Sequence, residues 1–167
     1  VYILIDLKEI KNKILTKNNL YCLIVISIIF FLDRYTKFFI LNNFTENSYH
    51  LNDYINLDLV WNTGIGFGLF SSNSDIIYSL TSLLIAVVIM CLIYFLIASE
   101  KLEKIIYSII IGGALGNFYD RMFFKSVPDF IDLHYKNFHW FTFNLADIFI
   151  TIGIVAFLFK EIFKTNQ

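Results

Sequence analysis

Residues Ile76 to Ala98 form 23 consecutive positions without a charge. At about 1.5 Å per residue, a helix of that length crosses the roughly 30 Å apolar layer of a bilayer. A large soluble core is the competing environment for such a segment. Composition decides between them: 57% of the 167 residues are apolar and 19% aromatic, against about 45–50% apolar in soluble domains. The chain therefore reads as a membrane protein.

Three further apolar runs need polar residues to reach spanning length. Leu20 to Leu32 is 13 residues long and must continue through Asp33, Arg34 and Lys37 to about Leu41. Ile105 to Tyr119 is 15 residues long and must extend to about Phe124, carrying Asn117, Asp120 and Arg121. The last run, Phe143 to Phe163, holds Asn144 and Asp147 in its first turns. The fold class expected is an all-α membrane protein with four transmembrane helices, at about 20–41, 76–98, 105–124 and 143–163. All belong to a single domain over residues 1–167. Glu100 to Lys104 reads as a short turn. Residues 125–142 read as a connection, where Pro128 biases Val127 away from helix.

The outer loop, residues 42–75, contains a small β element. Ile55, Leu57, Leu59 and Trp61 alternate with Asn56, Asp58, Val60 and Asn62, a period-two pattern. Gly64, Gly66 and Gly68 follow, which suits tight turns or close backbone approach. No Walker pattern accompanies them, so a phosphate loop is disfavoured. Gly112, Gly113, Ala114 and Gly116 put small residues around the third span, as close helix packing in lipid requires. The partner is either a helix of the same chain or a second copy. Asp33 and Lys37, four apart, share a helix face and can pair, either as an interfacial snorkelling pair or as support for a site.

Basic residues set the orientation. Eight (Lys8, Lys11, Lys13, Lys17, Lys101, Lys104, Lys160, Lys164) fall on the side of the two termini. Five (Arg34, Lys37, Arg121, Lys125, Lys136) fall on the other, and none in residues 42–75. Both termini are therefore expected in the cytoplasm. Residues 1–19 read as a basic lead-in. A cleaved signal peptide is disfavoured, because the run after it ends in Asp-Arg-Tyr-Thr-Lys without a small-residue cleavage site.

This orientation carries Asp33, Lys37, Asn117, Asp120, Arg121, Asp129, Asn144 and Asp147 to one layer near the outer face. A transporter would place polar groups near the midplane. Carboxylates at membrane depth are costly and point to chemistry. If Asp129 and Asp147 meet, they cannot both ionise easily. The pair would share a proton, the arrangement of aspartic peptide hydrolysis. Spacing alone leaves open whether they meet. The net charge of −1 offers no basic face for nucleic acid. The three histidines and two cysteines show no ligand spacing, so neither a metal nor another cofactor is expected, and Cys22 and Cys91 read as small buried hydrophobes. The alternative function is a non-enzymatic four-span protein, a transporter subunit or assembly factor.

Five segments in order carry a resemblance: Asp33 with Lys37, Asn62-Thr-Gly-Ile-Gly-Phe-Gly68, Gly112-Gly-Ala-Leu-Gly-Asn-Phe-Tyr-Asp-Arg121, Val127-Pro-Asp-Phe-Ile131 and Phe143-Asn-Leu-Ala-Asp147. Together they resemble the bacterial lipoprotein signal peptidases (signal peptidase II) over about residues 20–160. The resemblance implies an inner-membrane aspartic endopeptidase with its active site near the outer face. Its substrate would be a diacylglyceryl-modified prolipoprotein in the lipid bilayer, cut on the amino side of the lipidated cysteine. A globomycin-type inhibitor would block a monomeric enzyme. Asp129 and Asp147 would be catalytic. Asn117, Arg121 and Asn144 would hold substrate and orient the pair. Asp33 and Lys37 would support the site, Asn62 and Gly64 would shape the outer loop, and Asp120 would be structural. Tyr119-Asp120 also resembles the first motif of presenilin-type proteases, whose Gly-x-Gly-Asp is absent. Arg34, Gly66 and Pro128 depart from the usual Gln, Ala and small aliphatic residue. Phe138 to Phe143 reads as an acyl-chain groove or as aromatic-belt packing.

Overall fold

The computed structural model describes residues 14–44, 48–64 and 75–164. The lead-in before Ile14 and the glycines Gly66 and Gly68 lie outside them. Among the described residues four helices and one sheet follow in chain order: α1 (Lys17–Asn43), β1 (Tyr49–Asn52), β2 (Ile55–Asn62), α2 (Asp75–Ala98), α3 (Lys101–Phe124), β3 (Val127–Tyr135), β4 (Phe138–Phe143) and α4 (Leu145–Lys164).

The expected all-α class with one short strand needs correction. The strand at Ile55–Asn62 is present, but it belongs to a four-stranded antiparallel sheet in the order β1-β2-β3-β4. Residues 125–142 form a hairpin, not a plain connection. Its signal was masked because β3 is buried at nearly every position, so no alternation shows in the sequence. Pro128 is tolerated because β3 pairs with β4 over Ile131–Tyr135, so Pro128 sits where β2 is the sole neighbouring strand. The hairpin places His139 opposite His134, and the ring of His50 in β1 lies 6.2 Å from that of His134. Histidines scattered in sequence are therefore gathered on the sheet.

The helices also differ in detail from the four runs. α1 begins at Lys17, where the Thr16 hydroxyl accepts from the Asn19 N–H at 3.1 Å. α3 begins at Lys101, so the expected turn is the first turn of a helix. Lys104 is buried and donates to the Leu96 and Ile97 carbonyls, closing the end of α2. Phe143 ends β4 and Asn144 precedes α4, so the run read as one span is a strand end, a cap and a helix. Cys22 is buried as expected, whereas Cys91 is exposed on α2.

α3 is the central helix and packs against α1, α2 and α4. Its small residues allow this approach. A Cβ on Gly116 would lie 2.4 Å from Asp33 Oδ2 in α1, and one on Gly113 would lie 2.6 Å from the Ala146 carbonyl in α4. The glycine-rich face is thus used within the chain. The Gly116→Ala variant should lose about 1–3 kcal/mol of stability by overpacking, read as a lower thermal midpoint in detergent. An unchanged midpoint would show that α1 and α3 can separate freely.

Candidate active site

The site is built from one end of the helix bundle and the adjoining end of the sheet. On α1, Ile29, Asp33, Lys37 and Ile40 are buried along one stripe facing α3. Asp33 and Lys37 are both 0% exposed, which overturns the reading of an interfacial snorkelling pair. Lys37 Nζ lies 2.9 Å from Asp33 Oδ2 and donates to Asn117 Oδ1 at 2.8 Å and Asp120 Oδ2 at 2.6 Å. Two hydrogen bonds and two ion-pair partners thus surround the buried ammonium. Asp120 takes a second ion pair from Arg34, whose guanidinium stacks on Tyr119. Two carboxylates and two bases thereby neutralise one another. Asp120 is fully committed and has no open face for chemistry.

Asp129 and Asp147 come together through Asn144. The Asn144 side-chain amide donates to Asp129 Oδ1 at 2.6 Å, and its backbone N–H donates to Asp147 Oδ2 at 3.1 Å. Asn62 Nδ2 donates to Asp129 Oδ2 at 2.9 Å, and Asn117 Nδ2 donates to Asp147 Oδ1 at 2.8 Å. Each of the four carboxylate oxygens thus accepts one hydrogen bond and keeps a lone pair for a proton, water or substrate.

The amide directions follow from their surroundings. Asn117 must turn its oxygen to the Lys37 ammonium, which leaves its NH2 for Asp147. Asn62 Oδ1 accepts from the Gly64 N–H at 2.8 Å, so its NH2 faces Asp129. Asn144 Oδ1 caps α4 by accepting from the Asp147 N–H at 3.2 Å, so its NH2 also faces Asp129. Asp33 Oδ1 accepts the Ala146 N–H at 3.1 Å, tying α1 to the first turn of α4.

Burial, and then the charge of Asp147, raises the Asp129 carboxyl from the ordinary 3.8 to about 6. Such a pair titrates jointly and holds one proton over an intermediate pH range. One member can then act as base while the other donates a hydrogen bond.

Arg121 has two backbone partners within the chain. Its guanidinium donates to the Gly64 carbonyl at 2.6 Å and the Asn117 carbonyl at 3.2 Å, clamping the outer loop to α3. Tyr78, which the sequence reading missed, donates its hydroxyl to the Arg121 carbonyl. Nothing in the apolar run of α2 marked that tyrosine. Phe138 and Trp140 are exposed on the edge strand β4, away from the dyad. A groove of about 680 Å³ instead lies between α2, α3 and α4, with Asn117, Arg121 and Asp147 among its lining residues and Leu84, Val88 and Ile154 along its walls.

Known proteins agree with this arrangement of elements. The family model described as Signal peptidase (SPase) II matches residues 25–163. The chain belongs to the signal peptidase II family. The lipoprotein signal peptidase of Pelagibacter ubique (strain HTCC1062) is 43% identical, over 93% of this chain and 96% of that one. The lipoprotein signal peptidase of Anaplasma phagocytophilum (strain HZ) is 39% identical, over 87% and 94% of the two chains. A solved bacterial membrane enzyme shares the fold at a TM-score of 0.76 and 24% identity, covering 87% of this chain and 89% of that one.

Two outcomes test the site of this signal peptidase II family member physically. Replacing Lys37 by Met leaves Asp33 and Asp120 buried without their ammonium, so the variant should lose about 3–5 kcal/mol. A loss below about 1 kcal/mol in denaturant unfolding, the size of an exposed pair, would contradict the buried hub. For Asp129 the folded carboxyl keeps its proton to about pH 6, whereas an unfolded one releases it near 3.8. The folded state is then favoured at low pH, and stability falls as pH rises from about 4 to 6. Against an Asp129→Asn variant, the wild type should show this extra decline in thermal midpoint. Parallel pH curves would refute the raised value.

Proposed function

We propose that this chain is an aspartic endopeptidase that removes signal peptides from diacylglyceryl-modified prolipoproteins, cutting on the amino side of the lipidated cysteine. Membership of the signal peptidase II family supports lipoprotein signal-peptide removal. The observation that carries the aspartic chemistry is that Asn144 donates to both Asp129 and Asp147.

In the proposed reaction the pair holds one proton. The ionised carboxylate takes a proton from water, and that water attacks the scissile carbonyl carbon. The protonated carboxyl donates to the carbonyl oxygen as it gains charge. Collapse of the tetrahedral intermediate breaks the C–N bond, a carboxyl proton passes to the leaving nitrogen, and the pair regains its single proton. Asn62, Asn117 and Asn144 hold the carboxylates in place. Lys37 and Asp33 fix Asn117 and the start of α4. Arg121 holds Gly64 and with it the loop that would cover the substrate.

The membrane setting rests on surface chemistry. α2 has a segment, Tyr78–Ala98, of mean hydropathy 2.9 and sufficient length to span. The other helices also leave large apolar side chains exposed, among them Leu23, Phe31, Phe39, Leu158 and Phe163. A water-facing protein rarely presents so continuous an apolar surface. We assign four spans across a bacterial cytoplasmic membrane, both termini inside, with the dyad near the outer face. The groove between α2, α3 and α4 gives an apolar signal segment a lateral path to Asp147.

Asp129→Asn and Asp147→Asn should each lower processing of a lipidated prolipoprotein by at least about 100-fold, the scale of an acid–base group, while the purified variants remain folded. Processing at the wild-type rate by either variant would end the dyad assignment.

A further inference from the structure

The outer sheet carries a second cluster that the peptidase chemistry does not use. Asp132, His134 and His139 each offer one ligand atom, and these atoms lie within 4.8 Å of one another. Asp132 and His134 are two apart on β3 and share a face, opposite that of Asp129. A bulge makes the third member available: Leu133 pairs with Phe141, but His134 pairs with His139, so Trp140 is passed over. Without the bulge Trp140 would stand beside His134.

Two contacts in the cluster suit a cation. Asp132 and His134 are 3% and 5% exposed, yet among the described residues His134 Nδ1 has no hydrogen-bond partner. It points toward Asp132 Oδ2 at 3.7 Å, too far for a hydrogen bond. His139 Nδ1 meets the same oxygen at 2.7 Å, and Asn56 donates to it at 3.3 Å. A buried imidazole nitrogen left without a partner is costly, and a metal bridging both rings and the carboxylate would satisfy it.

We propose that Asp132, His134 and His139 form a binding site for a zinc-class divalent ion on the outer sheet, separate from the aspartic pair. Two imidazoles and one carboxylate are a zinc ligand set, with water in the fourth position. Donors around a tetrahedral ion lie about 3.3–3.5 Å apart at bonds of about 2.0–2.1 Å, so the 3.7 Å contact of His134 must shorten and the 2.7 Å contact of His139 must open to admit the ion. The side chain of His139 is 57% exposed and can turn to do so. The ion's place in the fold is a clip across the β3–β4 hairpin, three residues from Asp129.

The test titrates the tag-free full chain in detergent with zinc chloride, followed by calorimetry, and with cobalt chloride, followed by visible absorption. One equivalent per chain is expected, together with cobalt bands of a low-coordinate nitrogen–oxygen site and a higher thermal midpoint with zinc. His139→Ala, a change at an exposed side chain, should weaken binding at least ten-fold and remove the midpoint shift. Asp129→Asn should bind as the wild type does. Affinity unchanged in His139→Ala, stoichiometry well below one, or binding lost in Asp129→Asn would each overturn the site.

Discussion

A lysine ammonium inside a helix bundle must be neutralised and hydrogen-bonded on every side, and the rest of this site inherits that demand. Lys37 takes Asp33 from its own helix and Asn117 and Asp120 from α3. Those contacts fix how α1 and α3 are rotated against each other. They also fix the Asn117 amide, since an oxygen must face the ammonium, and so decide that an N–H faces Asp147. The remaining Asp33 oxygen holds the Ala146 N–H at the start of α4. A structural charge cluster thus sets the geometry around Asp147 through Asn117 and the start of α4.

The helix spacing makes such a cluster reachable. Side chains as short as Asp33 and Asn117 can meet across an interface only if the backbones are close. Gly116 provides that closeness, since Asp33 occupies the space a Cβ would need. Departures from the family pattern fit the same account. Arg34 supplies a second positive charge to Asp120, and stacking on Tyr119 holds it there. Pro128 sits in the singly paired part of β3, beside Asp129, where a missing N–H is tolerated.

Asp33, Lys37, Asn117, Asp120, Arg121, Asn144 and Asp147 were legible in sequence because each interrupts an apolar run, where a polar residue needs a reason. Asn62 and Gly64 were legible through loop chemistry and the resemblance. The hairpin holding Asp129 was not: its strand is buried almost throughout and shows neither helical nor alternating period. The gathering of the histidines was hidden as well, because it depends on a bulge and on cross-strand pairing. The contact of Arg121 with Gly64 was hidden too, since the two lie 57 residues apart in sequence.

What the sequence determined by itself was the solvent and the residues that need partners. Long apolar runs demand a nonpolar surround, and the charges that interrupt them mark side chains that must be paired, because hydropathy is a local property of the chain. What the tertiary structure decided was which atoms meet. Whether Asn117 turns its oxygen or its nitrogen to Asp147, and whether Asn144 serves one acid or two, depends on partners brought in from other helices and strands. Hydrogen-bond direction is set by those partners, and residue order does not encode it.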